Sequence, residues 1–392
     1  NLDAQISLAA ILARTSSVEA ARPVVNRCLE LDPGCEQGRY LSAQLDRREN
    51  SLEDAERQFR DMIASGLRQP YIHYSSHYEL AQILDRTGRF DEAMAELAEA
   101  KRLARQTVNV EAELKMFDSW HEGVVKKARA MPKNVLGIWT KSFPPRVQNA
   151  AARVAFLGGP ERSGTTLLER ILDAHPAVAA CDECLAISKV LSAIDVTGPA
   201  IPGQRLEVLR QRYVKILTKS LGQTGEGKLL LDKNPPQTVW LPSFLRAFPE
   251  SRVLIALRDP RDVILSLYFQ NHTHSNYLTF EQLAQHYGSV MEVWLAVREW
   301  EGLAWMETRY EDIVADMQKE GGRVTQFLGL EWHEGQARYY ERNREKAVMS
   351  TNYSDVTQPV YKRSVGRWRA YERQLDPILP ALEPYCRKFG YA

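Results

Sequence analysis

The chain has 392 residues, long enough for two domains of ordinary size. Lys and Arg number 51 against 50 Asp and Glu, a formal net charge of +1, so no global field draws it to nucleic acid or an anionic membrane. Five scattered cysteines (Cys28, Cys35, Cys181, Cys184, Cys386) are too few for a disulfide framework and point to a reducing, cytoplasmic compartment, and no apolar run approaches the ~18 residues of a membrane span.

The sequence opens on Asn1 rather than methionine, which is compatible with a trimmed leader or anchor. Residues 1 to 105 then read as paired helices. Ala20, Ala55 and Ala93 mark equivalent points, 35 and 38 residues apart. The third unit is the clearest, with Leu80, Ala81, Leu84, Gly88, Phe90, Ala93, Leu97 and Ala100 at alternating small and large positions, and Pro33 closes the first unit. This segment resembles an array of tetratricopeptide (TPR) repeats, for which three units are about the minimum stable stack. Such an array implies a surface for a peptide, a dimer contact, or a brace for the next domain, and the residues do not choose among them. Val108 to Met131 continues as a connecting helix, and Pro132, Pro144 and Pro145 punctuate the passage onward. Two domains are expected: 1–131, all-α, and 132–392, α/β.

The second domain is organised by Gly158-Gly159-Pro160-Glu161-Arg162-Ser163-Gly164-Thr165-Thr166. The apolar run Val154 to Leu157 precedes it, and a helical pattern (Leu167, Leu168, Ile171, Leu172) follows. A strand, a glycine turn and a helix start together make a phosphate cradle, because backbone N–H groups and the helix dipole converge there. Gly159 and Gly164 have Walker A spacing, but Thr165 stands where that motif needs lysine. Arg162 supplies the fixed positive charge instead, and Thr165 and Thr166 supply hydroxyls.

The stretch GGPERSGTTLLERILDAHP resembles the 5′-phosphosulfate loop of sulfotransferases that use 3′-phosphoadenosine 5′-phosphosulfate (PAPS), and its wording is most similar to tyrosylprotein sulfotransferases. The resemblance runs from about Arg153 to Tyr371. It implies a P-loop-like fold with a central parallel sheet and donor contacts from Pro160, Arg162, Ser163, Gly164, Thr165 and Thr166. Lys228–Asp232 and Arg252–Leu257 read as further buried strands, with Leu303–Met306 a shorter candidate; helices are expected near 204–221, 241–248 and 280–299. In such sheets ligands sit beyond the carboxyl ends of strands.

The remaining motifs follow in order. In the resemblance the catalytic glutamate falls on Glu183, with Asp182 its neighbouring alternative, and the catalytic lysine on Lys233. A carboxylate beside the donor suits proton removal from an acceptor hydroxyl, and an ammonium suits the charge that grows on the leaving oxygen. Arg258 and Ser266 match the pair that holds the 3′-phosphate, and Arg261 is expected to pair with a carboxylate. Lys362 and Arg363, beside Gly366, match the late basic loop, Tyr310 lines the nucleotide pocket, and Trp368 packs. Cys181 and Cys184 read as a coincidental C-x-x-C. Asp232 precedes the lysine directly and makes a poor Walker B aspartate, so metal-free transfer is expected, with PAPS as donor and adenosine 3′,5′-bisphosphate (PAP) as product.

The acceptor is expected to be a hydroxyl on a protein, glycan or small molecule. Tyrosylprotein sulfotransferases place arginines shortly after the glutamate to grip acidic peptides; here those positions are Leu185 and Lys189. Two other classes make different predictions. A P-loop kinase or NTPase predicts magnesium-dependent nucleotide binding, and a non-catalytic TPR scaffold predicts loss of the charged constellation.

Overall fold

The computed structural model describes residues 2–15, 18–141, 143, 154–221, 227–272, 277–343 and 363–391. Three helix pairs come first: α1 (Leu2–Thr15) with α2 (Val18–Leu31), α3 (Glu36–Arg48) with α4 (Leu52–Ala64), and α5 (Pro70–Arg86) with α6 (Phe90–Arg105). Ala21, Ala55 and Ala93 each take the fourth position of the second helix of a pair and are fully buried. Val25, Phe59 and Leu97 follow one turn later, and Cys28, Met62 and Ala100 two turns later, forming one buried stripe per helix. Ala20 is exposed, so the first repeat is in register at Ala21, one residue after the position its spacing suggests. Pro33 and Gly34 make the turn into α3, where the Asp32 carboxylate accepts from the Gly34 N–H at 2.9 Å.

Helix α7 (Val110–Ala130) starts with Asn109 accepting from the Ala112 N–H, and α8 (Val135–Lys141) follows. Pro144 and Pro145 lie outside the described residues. The sheet comprises β1 (Val154–Gly158), β2 (Val178–Asp182), β3 (Leu229–Lys233), β4 (Arg252–Leu257) and β5 (Ala304–Arg309). Its order is β2-β3-β1-β4-β5, and every pairing is parallel. Strands β3 and β4 flank β1, so the direction of winding switches at the carboxyl end of β1, where open sheets form their ligand crevice.

Period-two alternation sorts the strand side chains between two cores. Phe156, Leu230, Val253, Ile255 and Leu257 join one large cluster that continues without interruption into the helical array. Ala155, Leu157, Leu229, Leu231, Leu254 and Ala256 face a smaller one, built with Leu167, Leu168, Ile171 and Leu172 of α9 (Thr165–Asp173). The remaining helices that matter are α10 (Gly203–Leu221), α11 (Leu241–Ala247), α12 (Pro260–Tyr268) and α13 (Phe280–Val297). Among the described residues no helix is long and apolar enough to cross a membrane.

Candidate active site

The loop after β1 is shaped by contacts that only glycine tolerates. A Cβ on Gly159, at φ 121°, would lie 2.2 Å from the Ala256 carbonyl oxygen, and one on Gly164, at φ 87°, would lie 2.5 Å from the Tyr310 ring. Arg162 is left-handed at φ 66°, a conformation non-glycine residues rarely hold. Within the loop the Pro160 carbonyl accepts from the Ser163 N–H at 3.3 Å and the Ser163 hydroxyl at 2.6 Å, so that hydroxyl shapes the turn. Thr238, past β3, accepts from the Gly159 N–H at 3.0 Å and ties the loop to the neighbouring strand. Thr165 and Thr166 open α9, whose first N–H groups have no partner within the helix and face the loop.

Lys233 and Asp182 end adjacent strands in direct register, so both side chains emerge on the same face of the sheet. The fully buried Lys233 ammonium bonds Asp182 and also lies 3.0 Å from Glu183 Oε1. Burial works against that ammonium, but Asp182 and Glu183 outweigh it and raise the lysine above its usual value. Glu183 is left-handed at φ 51°, and its N–H donates to the Lys233 carbonyl at 2.8 Å. Its side chain is half exposed, so it can meet both the buried lysine and an incoming molecule.

Beneath this pair α9 turns Glu169 and Arg170 toward the sheet. Arg170 Nε lies 3.1 Å from Glu169 Oε2, and a terminal nitrogen lies 3.7 Å from Asp182. Burial is the main cause that pushes the Glu169 carboxyl up to about 7. On the opposite face Asp232 accepts from the Tyr213 hydroxyl, and burial drives it up to about 6. Asn234 donates to the Cys184 carbonyl at 2.7 Å, fixing the turn that carries Glu183. Cys181 and Cys184 are free thiols buried against this turn.

The third motif is assembled as a unit. Ser266 accepts from Arg162 Nε at 2.9 Å, and Arg258 donates to the Arg162 carbonyl at 3.1 Å and to the Ser364 carbonyl. Arg258 also lies 5.0 Å from the Tyr310 ring centroid, so Tyr310 supports both Gly164 and Arg258 from below. Arg261 pairs with Asp259 at 2.8 Å and stacks 3.9 Å from Trp368, which is therefore engaged in packing. Asp262 accepts from the N–H groups of Gly366 at 2.7 Å and Trp368 at 2.8 Å, holding the late loop against α12. Arg363 is exposed on that loop; Lys362 lies outside the described residues. Leu185 and Lys189 are both exposed beside Glu183.

Sequence reasoning did not single out Glu169, Asp262 or the Glu161–His286 pair at 2.8 Å. The partners of Asp262 and Glu161 lie on distant segments, and Glu169 is marked by its burial against the sheet rather than by any local spacing.

Residues 155–334 match the model of the sulfotransferase family, and residues 74–107 match a tetratricopeptide repeat. A protein of Aquifex aeolicus (strain VF5), described only as an uncharacterized protein, is 22% identical over 96% of this chain and 50% of its own length, so the chain spans about half of that relative. Protein-tyrosine sulfotransferase A of Caenorhabditis elegans is 23% identical over 62% of this chain and 68% of that protein. Among solved structures, the sulfotransferase domain of the Synechococcus PCC 7002 olefin synthase is 20% identical over 55% of this chain and 86% of that one, with a TM-score of 0.42.

Proposed function

We propose that this chain, whose residues 155–334 match the model of the sulfotransferase family, moves a sulfuryl group from PAPS to an acceptor hydroxyl and releases PAP. The observation that carries the reading is the Lys233–Glu183 pair at the ends of adjacent strands, beside a loop with no room for a Cβ at Gly159 or Gly164. That cradle fits a phosphate-like group. Pro160, Arg162, Ser163, Gly164, Thr165 and Thr166 would hold its 5′ end, and Arg258, Ser266, Lys362 and Arg363 its 3′ phosphate, with Tyr310 supporting the loop. When bound, PAPS supplies the sulfuryl group and a phosphate leaving group.

Glu183 takes the acceptor's proton as the acceptor oxygen closes on sulfur. Lys233 meets the negative charge that collects on the bridging oxygen as its bond to sulfur breaks, a preorganised stabilisation that favours the transition state. Asp182 keeps the lysine aimed. The fixed charges come from side chains on three strand ends, so a lysine ammonium does the work that magnesium does in a P-loop kinase. The relatives' names make tyrosyl peptides the first acceptors to assay, and exposed Leu185 in place of an arginine predicts weaker preference for acidic peptides.

The deciding measurement is thermal stabilisation by PAP, with magnesium-ATP as the control. A ligand at 100 times its dissociation constant adds about 2.7 kcal/mol. A shift with PAP that chelator leaves unchanged supports the reading. A shift with magnesium-ATP and none with PAP overturns it.

A further inference from the structure

Lys101 lies just before the last turn of α6, yet its side chain reaches into the other domain. Only 3% of the residue is exposed, and Nζ donates to the Tyr277 carbonyl at 2.7 Å and the Gln270 carbonyl at 3.4 Å. The rings of Tyr78 and Tyr268 flank it at 5.2 and 5.0 Å. One buried amine thus gathers both ends of the connection from α12 to α13. Asn271, in the same connection, donates to Ser75 of α5 at 2.8 Å.

From Tyr277 the contacts run into the phosphate loop. Its hydroxyl lies 3.0 and 2.9 Å from the two carboxylate oxygens of Glu161, and His286 Nε2 lies 2.8 Å from Oε2. Burial opposes the charge on Glu161, but His286 and Tyr277 hold its carboxyl below the usual range. Glu161 immediately precedes the left-handed Arg162. The same helix pair reaches the late loop too: Asp85 of α5 accepts from the Tyr371 hydroxyl at 2.6 Å and Arg367 Nε at 3.1 Å. A helix pair that served only as a peptide groove would have no use for a buried amine hydrogen-bonded to two carbonyls of the α12–α13 connection.

We infer that α5 and α6 set the phosphate loop through the chain Lys101–Tyr277–Glu161, which makes Lys101 and Tyr277 positioning residues for donor binding; this rests on the donor reading above. Neither side chain touches the reacting atoms. Their effect is on where Arg162 stands.

The test is calorimetric titration of PAP into wild type, Lys101→Met, Tyr277→Phe and the double variant, with steady-state kinetics in PAPS and in acceptor, below the unfolding temperature of each. Each single variant is expected to bind PAP about tenfold more weakly, the worth of one buried hydrogen bond. KM for PAPS rises and KM for the acceptor stays put. The double variant loses little beyond the worse single one, because the two residues act in one chain. Lowered unfolding temperature with unchanged PAP affinity in both variants reduces Lys101 to a structural clamp and overturns the inference. Absence of PAP binding in wild type removes the donor reading and the inference with it. If Lys101→Met does not fold, Tyr277→Phe decides alone, since it removes a single hydroxyl.

Discussion

Lys233 Nζ lies 3.0 Å from Glu183 Oε1, although Lys233 ends β3 and Glu183 follows β2, 50 positions earlier. Parallel pairing puts Asp182 opposite Lys233, and the left-handed Glu183 then brings its carboxylate back over the lysine. The two groups differ in exposure, with the lysine fully buried and the glutamate half exposed, which matches a fixed electrostatic partner and an accessible base. Glu183→Ala is expected to lower turnover by about 10²–10⁴, the usual worth of general base catalysis, with PAP affinity intact. Lys233→Ala should also lose stability, since Asp182 would be left without its main cation. Single-turnover assays beside PAP titrations check both. Full turnover in Glu183→Ala would remove it from the base role.

Glu169 ties stability to pH. Its folded-state pKa is raised from 4.5 to about 7, first by burial. Between those values the folded chain keeps a proton that the unfolded chain has released. The stabilisation is therefore complete below the unfolded value and is lost as pH rises through 7. Denaturant unfolding at pH 5 and pH 8 should show wild type losing up to about 3 kcal/mol more than Glu169→Gln. Asp232 has a shift of the same sign, but it is common to both proteins and cancels in the comparison. Equal losses in the two proteins would count against a buried, titrating Glu169.

What the sequence disclosed depended on whether the determinant was local. Val154–Leu157, Lys228–Asp232 and Arg252–Leu257 are apolar runs bounded by turn residues, and they appear at Val154–Gly158, Leu229–Lys233 and Arg252–Leu257. The strand at Val178–Asp182 escaped notice. Its small residues carry little intrinsic strand preference, and it forms by pairing with β3 alone at the edge of the sheet. The fifth strand runs on to Arg309, past the apolar Leu303–Met306, because pairing with β4 continues to Leu257. The same division holds in the site. Lys233 and Arg258 sit at and just past strands legible as apolar runs, and Ser266 lies on the helix that follows, whereas Glu183, reached only through the resemblance, follows the strand that carries no such signal. Asp262 is recognised only through Gly366 and Trp368, over a hundred positions on, and His286 meets Glu161 across 125 positions.

Gly159 offers the sharpest steric test of the loop. An alanine there places Cβ 2.2 Å from the backbone oxygen of Ala256, in a conformation that side chains avoid. Backbone on β4 cannot yield without breaking the ladder, so the loop must move. Gly159→Ala is expected to lose about 1–3 kcal/mol of stability from strain alone and to abolish PAP binding. Gly66→Ala, also at positive φ but with nothing within 4 Å of the added Cβ, is the control for the conformational cost by itself. Calorimetry on the pair separates the two effects: PAP binding retained in Gly159→Ala would mean the loop is not the phosphate cradle.

Asp262 is the latch of the late loop. From the first turn of α12 its two oxygens accept from the N–H groups of Gly366 and Trp368, while Arg258 lies 3.9 Å away. Burial pushes its carboxyl up, and Arg258 and the two amides oppose that push. Asp262→Ala leaves both amides without an acceptor, at about 1–3 kcal/mol each, and frees a loop whose Ser364 carbonyl is bonded to Arg258. Asp262→Asn keeps one accepting oxygen and should fall between. Limited proteolysis reads the outcome: Asp262→Ala is expected to be cut faster within 363–371 and to be protected less by PAP than wild type. Identical cleavage rates with and without PAP in both proteins would separate this loop from the donor site.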